Sequence, residues 1–172
     1  MTKLKLNRVF FRAVEPFDFE ITFKWENDPK NWLQSGVEKP YTTNEIKKFV
    51  NNKQDLVIDG QMRWMIISSA TKQVIGALDL FNYNAELESA NIGILIDESF
   101  RGQGFASEAI VGIETYCKEA ASLNYLECQV LENNIMSQKL FKKLGYKQTN
   151  SELDSYFYLG EYFGQLTFRK EL

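Results

Sequence analysis

The residues best suited to chemistry lie in one short run, Arg101-Gly102-Gln103-Gly104-Phe105-Ala106-Ser107. Its two glycines can take positive φ and let another group approach the main chain. The run follows an isoleucine-rich segment ending Ile94-Leu95-Ile96, and it opens a series of apolar residues at helical spacing: Phe105, Ala106, Ala109, Ile110, Ile113, Tyr116, Cys117 and Ala120. A glycine turn that opens a helix aims several N–H groups one way, and the helix dipole adds roughly +0.5 charge there. Together they form an anion cradle fitted to a phosphate or pyrophosphate, with Arg101 a fixed charge at the lip. The same spacing also serves a plain strand-to-helix turn. Two nucleotide motifs are excluded: Ser107 stands where the Rossmann fingerprint needs its third glycine, and no GxxxxGK[ST] run occurs.

A second set of residues could handle an amine or a proton. Asp79 interrupts the apolar run Val74 to Phe81, where a carboxylate needs a partner or a wet cleft. Asn91, Tyr83, Glu26 and Asp28 are further candidates for holding water or an amine, although residues of these types more often serve as solvated or structural polar groups. The chain has no histidine, so a histidine base or histidine metal site is excluded. Cys117 lies on a helical apolar stripe and Cys128 in an apolar strand. Both read as buried core residues of a reducing, cytoplasmic protein, and two lone cysteines do not make a zinc site.

These residues need a scaffold. Asn7 to Val14 is a first strand, and Pro16 opens a helix to about Asn27. Asp28-Pro29 breaks it, and a loop runs from Lys30 to Tyr41. Thr42 or Thr43 caps a second helix carrying Ile46, Phe49 and Val50. Strands follow at Met62 to Ser69 and Val74 to Tyr83, joined across Ala70-Thr71-Lys72-Gln73. A polar turn from Asn84 to Ser89 leads into the strand before the cradle. After the long helix come a strand from Tyr125 to Leu131, a helix from Asn134 to Leu144 stopped by Gly145, and strands at Tyr156 to Leu159 and Gly164 to Arg169 around a Glu161-Tyr162 turn. The order predicts one α/β domain over residues 1–172, with a mixed, mainly antiparallel sheet flanked by helices.

Composition narrows the partners. A net charge of −3 argues against bulk nucleic-acid or anionic-membrane binding and suits a cationic substrate. No apolar run is long enough to span a bilayer. Met1 to Arg8 lacks the apolar stretch of a secretory signal.

Arg101-Gly102-Gln103-Gly104-Phe105-Ala106 resembles the acetyl-CoA signature [Q/R]-x-x-G-x-[G/A] of the GNAT N-acetyltransferase superfamily. Asn134-Ile135-Met136-Ser137 through Leu140-Phe141-Lys142-Lys143-Leu144-Gly145-Tyr146 looks like its second signature. Phe11 to Pro16 and Trp25 to Pro29 look like the branch with spermidine N-acetyltransferases and ribosomal-protein N-terminal acetyltransferases. The resemblance implies acetyl-CoA as acyl donor and a splayed strand pair forming the acyl-CoA slot. Arg101 to Ser107 would hold the pyrophosphate. The edge of Ile94, Leu95 and Ile96 would bond the pantetheine like an added strand. Asn134 would hold the far side of the cofactor, or cap its helix, or both. Gly93 would permit a bulge that parts the strands, or serve close packing. The first helices and their loop, with Trp32, would overhang the acceptor.

Two residues depart from the resemblance. Many relatives carry a tyrosine acid at the position of Phe141 and a glutamate at that of Asn91. A thiol of pKa about 8.5 leaves tolerably unaided, whereas an amine of pKa around 10 must lose a proton first. The expectation is direct attack by a primary amine, polyamine-like, in a ternary complex with water carrying protons. A protein N-terminus is the alternative acceptor, and a non-catalytic acyl-CoA-binding module the rival class. The late aromatic strands could serve a homo-oligomer.

Overall fold

The computed structural model describes residues 7–172. The reading of the N-terminus as free of a secretory signal falls, up to residue 6, outside the described residues. Seven strands form one sheet in the order β1-β2-β3-β4-β5-β7-β6. They are β1 (Val9–Ala13), β2 (Met62–Ser68), β3 (Val74–Asn84), β4 (Ser89–Ile96), β5 (Tyr125–Leu131), β6 (Lys147–Tyr158) and β7 (Glu161–Glu171). Every neighbouring pair is antiparallel except β4 with β5. The helices are α1 (Phe19–Glu26), α2 (Pro29–Ser35), α3 (Thr43–Asn51), α4 (Leu56–Asp59), α5 (Phe105–Glu119) and α6 (Ile135–Lys143). The mixed α/β architecture expected from the sequence is the one observed.

Side chains alternate across each strand, and the two faces bury different partners. On one face Trp64, Ile66, Leu78, Leu80, Ile92 and Leu126 pack with Ile110, Ile113 and Cys117 of α5 and Phe141 of α6. On the other, Met65, Ile67, Ala77 and Leu95 pack with Trp25 of α1. Cys117 and Cys128 are free and buried, and burial pushes the Cys117 thiol up to about 12.

Four local expectations are corrected. The helix expected from Pro16 begins as a 3-10 turn, Pro16–Asp18, before α1. The loop expected from Lys30 contains α2, because Asp28 accepts the Lys30 N–H, Pro29 takes the first helical position, and Gly36 ends the helix at φ 72°. The last hairpin turns at Leu159-Gly160, both at positive φ, so Glu161 and Tyr162 are strand residues. The fourth correction concerns the slot.

Candidate active site

The bulge expected at Gly93 is absent. β3 and β4 stay in step from Gly76↔Ile96 to Phe81↔Asn91, and the irregularity lies beyond, between Phe81 and Asn84. The strands part elsewhere. β4 and β5 pair only at Ser89↔Tyr125, Ala90↔Leu126 and Asn91↔Glu127. From Ile92 onward the β5 side of β4 is uncovered, which exposes backbone amides to an extended ligand. Two close approaches flank the gap. A Cβ at Gly76 would strike the Leu95 carbonyl, so β3 can hold the end of β4 tightly, whereas a Cβ at Gly164 would strike Glu132, so β7 can hold the end of β5. Asp97 fixes the end of β4 as well. Its N–H bonds Ile75 O at 2.9 Å, and its Oδ2 accepts from Lys24 Nζ at 2.8 Å and Trp25 Nε1 at 2.9 Å. The Lys24 and Trp25 bonds hold the Asp97 carboxyl well below the usual carboxylate range.

The turn after β4 is the cradle. Gly102 and Gly104 sit at φ 74° and 83°, the left-handed region that favours glycine. Glu108 N–H bonds Gly104 O at 3.3 Å, so the amides of residues 105–107 lie in the unpaired first turn of α5. A Cβ at Gly102 would meet nothing within 4 Å, which leaves room for a bulky anion. Arg101 spends its Nε on Ile96 O at 2.8 Å, and so braces the turn. Arg8 braces it from outside, donating to Gln103 O at 2.9 Å and to both oxygens of Glu108. Beside it lies an open groove of about 380 Å³ lined by Gly104, Ser107, Val111, Lys143 and Leu144.

On the α1 face, Arg63, Asp79 and Gly93 stand side by side in register on β2, β3 and β4. Arg63 forks onto Asp79 (Nε–Oδ1 2.6 Å, Nη2–Oδ2 2.8 Å) and donates Nη1 to Glu26 Oε1 at 2.5 Å. Its guanidinium lies 5.0 Å from the Phe49 ring. Burial works against this charge, but the Asp79 and Glu26 carboxylates outweigh it and raise the Arg63 pKa. A cavity of about 190 Å³ opens here, lined by Glu26, Tyr41, Glu45, Ile46, Phe49 and Arg63.

Residues 8–147 match the family profile described as Acetyltransferase (GNAT) domain. The chain belongs to the GNAT acetyltransferase family. It is an acetyl-CoA-dependent N-acetyltransferase. Over 86% of its length it is 27% identical to an uncharacterized N-acetyltransferase of Bacillus licheniformis, covering 84% of that protein. Over 91% of its length it is 24% identical to spermidine N(1)-acetyltransferase of Vibrio cholerae, covering 88% of it. The fold superposes on the Vibrio cholerae spermidine N-acetyltransferase solved with CoA and spermine, with a TM-score of 0.85, 20% identity and 95% of each chain covered. Acetyl-CoA, bound to a GNAT domain, supplies an acetyl group on a thioester and a thiol that can leave. The open glycine turn and the uncovered edge of β4 suit it.

Within this GNAT fold the candidate residues separate into groups. Ile94, Leu95 and Ile96 lie on the uncovered edge, and Arg101 to Ser107 form the turn at its end. Asn134 caps α6, accepting the Ser137 N–H at 3.1 Å. Glu26 and Asp79 meet at Arg63. Asn91 stands two register pairs beyond Asp79, where β4 and β5 part. Asp28 and Trp32 serve α2: Asp28 caps it, and Trp32 Nε1 donates to Glu26 O at 2.9 Å. Tyr83 packs against the α5-side core, its strand having been turned by the irregularity after Phe81. Phe141 is 4% exposed and meets Tyr146 edge-on at 5.0 Å. Tyr156 and Tyr158 donate to Leu33 O and Val37 O and hold the end of α2. Arg63, Glu45 and Tyr41 were not anticipated.

Proposed function

We propose that the acceptor is a primary amine on a small polycation, acetylated by direct attack within a ternary complex. The observation that carries this reading is the charge balance on the α1 face. Two carboxylates, Glu26 and Asp79, surround one guanidinium, and Glu45 lines the cavity beside them. An excess negative charge in a partly closed cleft favours a cationic ligand. The likeness to a protein named spermidine N(1)-acetyltransferase supports the same reading. The cofactor is held by the turn Arg101 to Ser107, by the edge of Ile94, Leu95 and Ile96, and by Asn134. The buried free cysteines suit a reducing cytoplasm.

Release of the coenzyme A thiol, followed with acetyl-CoA and a panel of acceptors, tests the reading. A triamine should be used at lower KM than a monoamine of equal length. Turnover confined to peptides with free N-termini would overturn it in favour of a protein acceptor.

A further inference from the structure

Asn91, at the point where β4 and β5 separate, has no basic group. Its register partner across that last pair is Glu127. Parallel register partners project to the same face of a sheet, so Glu127 lies on the face that carries Asn91, Gly93 and Asp79. It is the last β5 residue paired to β4 before the gap. Its side chain is 25% exposed, neither sealed nor fully solvated. Its Oε1 accepts from Arg169 Nε at 2.9 Å, and Nη2 pairs with the same oxygen at 2.9 Å. Among the described residues, Oε2 makes no hydrogen bond, and Arg169 is itself held over the Tyr125 ring at 4.2 Å. Asp79 differs, because both of its oxygens are engaged by Arg63.

We propose that Glu127 is the general base of the reaction, taking the proton of the acceptor ammonium directly or through one water at the mouth of the gap. The inference rests on direct amine attack but not on which amine attacks. The balance is simple. The ammonium gives one proton to Glu127 Oε2, which passes it to solvent. The freed lone pair forms the C–N bond to the acetyl carbon while the C–S bond breaks. The nitrogen's second proton goes to the departing sulfur. The products are an amide, a thiol and one released proton. Arg169 is a positioning residue that occupies Oε1 and leaves Oε2 to work. A positioned base contributes roughly 10²–10⁴-fold, and deprotonation is the harder demand here, since an amine of pKa near 10 is almost wholly protonated at neutrality.

The test uses the full chain, acetyl-CoA and whichever acceptor in the panel is turned over. Glu127→Gln keeps an acceptor oxygen for Arg169, so the fold and coenzyme A affinity should hold, by thermal melting and calorimetry. The expected result is a kcat lowered at least 100-fold at pH 7 with KM little changed. The deficit should shrink as pH rises toward the amine's own pKa, because free amine then no longer needs a base. The other ionisable groups on that face, Arg169, Tyr125 and Glu171 beside Glu127, Lys147 beyond Arg169, and Asp79 with Arg63 and Glu26 across β4, are the same in both proteins. The double variant Asn91→Glu with Glu127→Gln should recover at least tenfold of the loss, because it moves the carboxylate across one strand pair. A Glu127→Gln protein with kcat within threefold of the parent, or with a deficit that does not change with pH, would overturn the proposal. An accepted peptide would instead refute the polycation reading and leave this result standing.

Discussion

At the cofactor end of the slot, from Arg101 to Ser107, the groups that would meet a ligand are main-chain amides. At the acceptor end they are side chains: Glu26, Arg63 and Asp79, bound to one another and drawn from α1, β2 and β3. Even the charges near the cofactor end brace the main chain, as Arg101 does through Ile96 O and Arg8 through Gln103 O. An end made of backbone accepts any sequence that keeps the turn, so it suits a ligand that does not vary. An end made of side chains can be changed one residue at a time, so on the proposed reading it is where acceptor choice would reside. Damage at one end should therefore be separable from damage at the other.

The largest expected effect is at the acceptor end. Arg63→Met leaves Asp79 and Glu26 facing each other without their shared cation, and because the cluster is only half-buried the loss should be about 3 kcal/mol, the low end for breaking a buried pair from one side. Urea unfolding should show that loss. The protein that remains folded should still bind coenzyme A with near-parental affinity. A matching loss of cofactor affinity would mean the two ends are one unit. The converse is Gly104→Glu. Its backbone sits at φ 83°, a Cβ there already meets the Arg8 guanidinium at 3.2 Å, and a negatively charged side chain would crowd the space proposed for the pyrophosphate. Cofactor affinity should fall at least 100-fold, about 2.7 kcal/mol on the usual scale. Unchanged affinity by calorimetry would refute the placement of the diphosphate.

Asp97 joins the two ends, since it stands between β4 and the cradle and bonds α1 through Lys24 and Trp25. Its folded carboxyl titrates below its usual 3.8. Its contribution is therefore fully present above about pH 4 and is lost as pH falls below that. Asp97→Asn should cost about 2 kcal/mol at pH 7, the order of a charged hydrogen bond. It should also flatten the fall in stability between pH 4 and pH 2. An undiminished acid-induced fall would place the titrating group elsewhere.

The difference between the ends also explains what was legible in the sequence. Gly102, Gly104 and the helical stripe from Phe105 are local signals, and they located the turn and α5 within a residue. Arg63 was not legible, because its meaning depends on register. Counting on from the Ile67↔Val74 pair without a break would pair Asp79 with Met62. The irregularity between Ile66 and Ile67 advances β2 by one residue and brings Arg63 opposite instead. Asp79 was visible as a carboxylate in an apolar strand, yet its partner was not. The parting of β4 from β5 was expected, but from Gly93. Its glycines are Gly76 and Gly164, each revealed only by the neighbouring chain it must admit. Glu127 was hidden for the same reason: its relation to Asn91 crosses a parallel pair whose strands are separated in sequence by all of α5.

The smallest expected effect is at Phe141, where many relatives that the sequence resembles carry a tyrosine. Phe141 is buried, edge-on to Tyr146, within the core shared by α5 and α6. Among the described residues the buried Tyr146 hydroxyl already finds no hydrogen-bond partner there, so this pocket offers little to a second one. Phe141→Tyr should lower stability by about 1–3 kcal/mol if its hydroxyl stays inside. Turnover should remain within twofold, because the departing sulfur takes its proton from the nitrogen and needs no second donor, so the amine's deprotonation is the demanding step. A rise of tenfold or more in kcat, with stability unchanged, would show that the hydroxyl reaches the sulfur. The scarce proton would then be the one delivered to the leaving group rather than the one taken from the amine. That single result would move the limiting chemistry from the acceptor end to the cofactor end.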